Sequence, residues 1–204
     1  VTAVRLGATS HHFQRAVRKA SNWIVVNEHD DLQGIIAQAK DGTQLRIIGR
    51  HDIRGENIIV KNNLFICGTN AVINLISGAR IVWCAKGHLA NVRIVRHLDA
   101  SRMVISPNSA VCVRGLGRLY MQRSMITYIG DASSVNYGAY VDFGASLYLE
   151  HVAFRGIKGP CLSVDSGNVE ARHTLFSIDG RHPAIIVTRG FMQIHQCVTL
   201  QKYP

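Results

Sequence analysis

Gly138–Tyr203 reads GAYVDFGASLYLEHVAFRGIKGPCLSVDSGNVEARHTLFSIDGRHPAIIVTRGFMQIHQCVTLQKY, one pattern written three times. Gly144, Gly167 and Gly190 stand 23 residues apart in both steps (167 − 144 and 190 − 167). A short apolar strand precedes each of them: Ala139–Phe143, Leu162–Ser166 and Ile185–Arg189, with Val141, Val164 and Val187 in one column. A second strand follows each: Leu147–Phe154, Val169–Phe176 and Met192–Val198. Strands and glycine corners at a fixed period, with no helical periodicity, mark a solenoid in which each turn stacks on the one before.

Upstream the repeat loosens. Gly117 precedes Leu119–Ile126, which matches Leu147–Phe154 nearly position for position, but the step is 27 (144 − 117). Asp131–Asn136, rich in Ser, Asp and Asn, is therefore expected as a loop bulging from one turn. Ala90–Val95 has the same alternation, and Trp23–Val26 reads as a first strand. The period then changes: Leu32, Ile35, Ile36 and Ala39 fall at i, i+3, i+4 and i+7, which predicts a helix over 31–40. Asp30 with Gln33 forms a candidate capping pair, and Gly42 a left-handed terminator. Leu45–Gly49, Asn57–Val60, Leu64–Gly68 and Val72–Leu75 follow as short β-branched strands bounded by Gly, Asn or Asp.

The order of strand, helix, DGTQLRIIG (41–49), ENIIVKNNLFICGTNAVI (56–73) and strand-rich turns resembles the pectate-lyase-like superfamily over residues 23–203. That resemblance implies an all-β fold, a single-stranded right-handed parallel β-helix with an N-terminal α-helix cap. Residues 23–204 would form this domain, with the cap at 31–40, and residues 1–22 a basic arm. The superfamily includes polysaccharide lyases and hydrolases, phage tailspikes and members without catalysis, so it implies no single function. Its lyases pair calcium-binding acids with a catalytic Arg or Lys, and its galacturonan hydrolases carry several acids in short motifs. Neither constellation stands in this sequence.

A hydrophobic fraction of 47% over 204 residues suits a folded domain with its own core. No apolar run reaches the length of a membrane span, so no transmembrane segment is expected. Lys and Arg number 23 against 13 Asp and Glu, a formal charge of +10, which favours an acidic partner such as nucleic acid or another acidic surface. Residues 1–22 hold no acidic residue; they resemble an organelle transit peptide and equally an arm lying on a partner. Cys67, Cys84, Cys112, Cys161 and Cys197 are odd in number and form no CxxC pair. They read as small buried side chains of an intracellular, reducing compartment, an organelle or a virion assembly included.

By alternation Asp142 and Asp165 face outward on neighbouring turns, about 4.8 Å apart. Two such carboxylates are the candidate catalytic pair, since paired acids drive glycoside hydrolysis and can hold a cation; arginines or lysines nearby would neutralise them instead. Arg123, His151, His173 and Gln196 form a second column, in which His151 and His173 are candidate metal ligands and a solvent-facing polar ladder is the alternative. Tyr120, Tyr148, Phe154 and Phe176 suit stacking in or against the core. No cofactor is expected. With so few acids, the balance leans to a non-catalytic structural or interaction subunit of a larger assembly, against a carbohydrate-active enzyme or tailspike-like glycan binder. The open edge of Ile185–Leu200 is the expected contact with other subunits or with further chain.

Overall fold

In the computed structural model, residues 23–98, 108–130 and 136–202 are described; the basic arm of residues 1–22 and most of the predicted 131–136 loop lie outside them. The chain forms β1 (Ile24–Val26), α1 (Leu32–Gln38), β2 (Gln44–Arg54), β3 (Ile58–Val60), β4 (Leu64–Ile76) and β5 (Ile81–Trp83). Then come β6 (Lys86–His97), β7 (Ser109–Val113), β8 (Arg118–Gln122), β9 (Met125–Ile129), β10 (Tyr137–Val141) and β11 (Ser146–Glu150). The last are β12 (Ala153–Ile157), β13 (Leu162–Arg172), β14 (Leu175–Asp179), β15 (Ile185–His195) and β16 (Val198–Lys202).

Every pairing is parallel, and the pairings sort into three stacks. The first runs β1, β2, β4, β6, β8, β11, β13 and β15. In the second, the far halves of β2, β4 and β6 continue into β9, β12, β14 and β16. The third is β3, β5, β7, β10 and the near halves of β13 and β15. Successive passes of the chain thus lie one on another, an arrangement compatible with the expected solenoid.

Alternation along each strand turns one set of side chains inward, and parallel register stacks like positions. Val60, Trp83, Val113, Val141 and Val164 form one column and are fully buried. Leu45, Ile66, Leu89, Met121, Leu149 and Ala171 form another. Phe154 and Phe176 stack inside with ring centroids 5.4 Å apart. One polar belt crosses this interior. Arg96, buried, lies 6.0 Å from the centre of the Tyr128 ring and donates to Asn108, which donates in turn to Asn136. Tyr128 accepts from the Ala110 N–H at 3.2 Å and donates to the Tyr137 carbonyl, tying the second stack to the third. Burial pushes the Arg96 guanidinium pKa down, the electrostatic cost of a cation in the core.

Three local expectations need correcting. The helix spans Leu32–Gln38 rather than 31–40, and Asp31 caps it by accepting from the Gly34 N–H at 2.9 Å, while Asp30 accepts from the Asn27 N–H at 2.7 Å. Each strand expected after a repeat glycine is two strands. His151, His173 and Gln196 take φ of 53°, 48° and 51° there, a left-handed step that ends one strand and re-aims the next. The repeat glycines also differ among themselves. Gly144 and Gly190 have positive φ, but in the middle turn Ser166 takes it (φ 62°), and Gly167 is needed because a Cβ there would lie 2.5 Å from Val141 Cγ1.

Val164 and Val187 share a column, yet Val164 is covered on both sides and Val187 is 44% exposed. Val164→Asp is expected to cost more than about 4 kcal/mol, since a charge would enter a sealed column. Val187→Asp, in the isolated chain, is expected to cost less than about 1 kcal/mol. Urea unfolding midpoints measure both, and equal losses would show the inward register to be wrong.

Candidate functional site

Asp142 and Asp165 do sit on neighbouring turns, but each turns to its own arginine. Asp142 lies at the corner after β10, where its Oδ1 accepts from the Phe143 N–H at 2.8 Å and its Oδ2 from Arg114 Nε at 3.4 Å. Asp165 lies within β13 and accepts from Arg189 Nη2 at 3.2 Å and from the Tyr140 hydroxyl at 3.5 Å. Arg114 comes from the turn before and Arg189 from the turn after, so the corner reads plus, minus, minus, plus along the stack. Burial, and then the charges of Asp142 and Asp165, push the Tyr140 phenol pKa up. The neutralising arrangement foreseen as the alternative is the one these side chains adopt.

His151 and His173 stack at 4.8 Å with planes 9° apart. With Arg123 and Gln196 they form the expected column, and Asn70 and Asn91 extend it: Asn70, Asn91 and Arg123 share the left-handed conformation, with φ of 51°, 56° and 45°. The Arg123, His151 and His173 N–H groups donate to the carbonyls of Glu150, Arg172 and His195 on the next turn, at 3.0, 3.1 and 3.0 Å. Turn-to-turn pairing therefore holds a conformation that costs a non-glycine residue about 1 kcal/mol. The residue after the corner assists: the Ser124 and Thr174 hydroxyls donate to the Gln122 and Arg172 carbonyls, two positions back. Asn70, Asn91, Arg123, His151, His173 and Gln196 are all solvent-exposed. Among the described residues no three His, Cys, Asp or Glu side chains gather where a metal ion could be held.

Beside this corner runs a groove of about 880 Å³. One wall is the corner column, Asn70, Asn91, Arg123 and His151. Its other lining is a register column of the second stack, Val72, Arg93, Met125 and Ala153. No acidic residue lines it. Among the described residues neither Arg93 nor Arg123 has a carboxylate partner. The sequence reading missed this groove, because it pairs residues from the two sides of a bend that had been read as straight strand.

The aromatic expectation divides in two. Phe154 and Phe176 are core, but Tyr120 and Tyr148 stand on the outer face of the first stack. Phe65, His88, Tyr120 and Tyr148 stack at 4.9, 4.8 and 4.4 Å, so each ring covers its neighbour's face and none is left as an open platform between them. Burial, and then the charge of Lys86, push the His88 pKa down to about 4. The cysteines divide as well: Cys112 and Cys161 are buried, with thiol pKa values pushed up to about 11 and about 12 by burial, Cys67 and Cys197 are half-buried, and Cys84, expected inside, is exposed just after β5. No family model, curated protein or solved structure matches the chain.

His88 sets a pH dependence whose sign is fixed. With an unfolded value near 6.5 and a folded value of about 4, the unfolded chain takes up the proton first, so stability is full above pH 6.5 and declines as pH falls towards 4. At about 1.4 kcal/mol per unit the full loss is on the order of 3 kcal/mol. Buried His51, whose pKa is lowered by desolvation, adds a loss of the same sign. His88→Phe keeps a ring in the stack and is expected to remove most of the His88 share, measured by urea unfolding at pH 7 and pH 4.5. A variant with the wild-type decline would contradict the assignment.

Proposed function

We propose that this chain is a non-catalytic structural and interaction subunit of a larger macromolecular assembly, in an intracellular, reducing compartment. Its scaffold is a right-handed parallel β-helix of the pectate-lyase-like kind, with α1 as the cap at its N-terminal end. In support of the cap, Leu32 and Ile36 join the core, and Gln33 Nε2 donates to the Asn57 carbonyl at 3.0 Å beside β3. The free cysteines support the compartment.

The observation that carries the reading is the turn built from β15 and β16. Among the described residues β15 pairs only with β13, and β16 only with β14. Val187 and Ile194 continue columns that are sealed one turn earlier, yet they are 44% and 51% exposed. An unpaired strand edge with apolar columns open beside it is a template for a further strand, from a partner or from further chain. The carbohydrate-active alternative draws on Asp142 and Asp165, and their engagement by Arg114 and Arg189 weighs against it.

Two measurements test this together. Cross-linking of complexes purified from native lysate is expected to map a partner onto residues 185–202, and Ile194→Lys to release it while the purified chain keeps its fold. A partner retained by Ile194→Lys would contradict end-on docking. On the enzymatic side, Asp142→Asn with Asp165→Asn is expected to leave behaviour towards acidic polysaccharide and calcium unchanged, with a stability loss under about 1 kcal/mol for exposed ion pairs. Cleavage of a sugar polymer by the wild type and not by this variant would establish the alternative.

A further inference from the structure

The groove beside the left-handed corner combines an aliphatic lining with two arginines, and no acidic residue lines it. Arg93 stands in a register column between Val72 and Met125, so its guanidinium is flanked along the stack by aliphatic side chains; Arg50, beyond Val72 in the same column, is paired with Asp52. Arg123 sits one turn further on, in the facing wall, and neither arginine has a carboxylate partner among the described residues. Four other surface arginines do find acids, Arg50 with Asp52, Arg114 with Asp142, Arg172 with Glu170 and Arg189 with Asp165, while exposed Arg118 and Arg181, like the groove pair, have none among the described residues. Arg155, two residues beyond Ala153 on the adjoining face, is exposed and adds a third cation without an acidic partner.

We propose that this groove is a docking site for an acidic peptide segment of a partner protein, one in which carboxylate side chains alternate with aliphatic ones. Arg93 and Arg123 would take a carboxylate between them through their planar donor forks. Val72, Met125 and Ala153 would cover the aliphatic neighbours, and the amides of Asn70 and Asn91 would meet the peptide's polar groups. Charge complementarity selects the sign of the occupant. The absence of aromatic rings other than His151 from the lining selects against the alternatives, since single-stranded nucleic acid binds largely by stacking its bases on such rings. The strand backbone lining the groove is already paired between turns, so recognition falls to these side chains. The proposal rests on the reading of this chain as an interaction subunit, but it concerns a different face from the β15–β16 edge. A groove without a ligand would leave end-on docking intact, and the Ile194→Lys result has no bearing on the groove.

The test is fluorescence anisotropy with the full chain and a labelled six-residue peptide alternating Leu and Glu, beside the same peptide with Gln for Glu. The acidic peptide is expected to bind about tenfold or more tightly than the Gln version, the difference shrinking as salt rises. Arg93→Gln with Arg123→Asn is expected to abolish that difference at an unchanged melting temperature, because Asn already occupies the same corner at Asn70 and Asn91. Should the double variant fold poorly, Met125→Glu supplies an internal carboxylate beside Arg93 and must produce the same loss. The proposal is overturned if the acidic peptide fails to bind at millimolar concentration, or if a folded variant binds it undiminished. It is equally overturned if a uridine hexanucleotide or a heparin tetrasaccharide displaces it and itself binds more tightly.

Discussion

A turn of this chain cannot bury its inward side chains by itself; only the turns above and below can cover them. Everything else in the structure follows from that dependence. Neighbouring parallel strands lie about 4.8 Å apart, so whatever stands at one position is pressed against the same position of the next turn. The repeat is therefore legible as columns, whether aliphatic as in Val113, Val141 and Val164, aromatic as in Phe154 and Phe176, or polar as in Asn108 and Asn136. The same dependence explains why columns open at the last described turn. Val187 and Ile194 have the chemistry of the core and the exposure of the surface, because β15 and β16 are covered from one side only.

The corner between the first and second stacks is the second constraint, and it generates the surface chemistry. A single left-handed residue bends the chain there, and its conformational cost is borne by hydrogen bonds to the next turn and by the hydroxyls of Ser124 and Thr174. Because that residue must face out, the column holds Asn, Arg, His and Gln. His151 and His173, candidate metal ligands or rungs of a polar ladder in the sequence, are two members of this column whose rings stack. The bend also sets the corner column against Val72, Arg93, Met125 and Ala153, and this juxtaposition forms the groove.

The strand-rich repeat and helix α1 were legible in the sequence because Val, Leu and Gly recur at fixed spacing and, among the described residues, α1 alone has a helical period. The bends were harder to read, although they leave a trace. Between inward Leu149 and Val152 stand two outward residues, Glu150 and His151; Ala171 and Thr174 enclose Arg172 and His173, and Met121 and Ser124 enclose Gln122 and Arg123. Each pair slips the alternation by one position, and that slip is the signature of the left-handed step. Arg96 left no trace, since an arginine in a strand reads as outward and only the stacked Tyr128 ring and Asn108 make an inward one tolerable. At the candidate acids, spacing placed Asp142 and Asp165 on one corner but could not show that Arg114 and Arg189, from the flanking turns, would reach them first.

Native-state hydrogen exchange on the dilute, monomeric chain tests most directly the claim that each turn is stabilised by the turns beside it. Alternate N–H groups of a parallel strand point to opposite neighbours, so in β15 and β16 about half of them have no turn to meet. Protection is expected to be greatest in β8, β9 and β11, with a turn on either side, and to drop at β15 and β16, where alternate amides exchange fast. Amides of β15 and β16 protected as strongly as those of β11 would contradict the account.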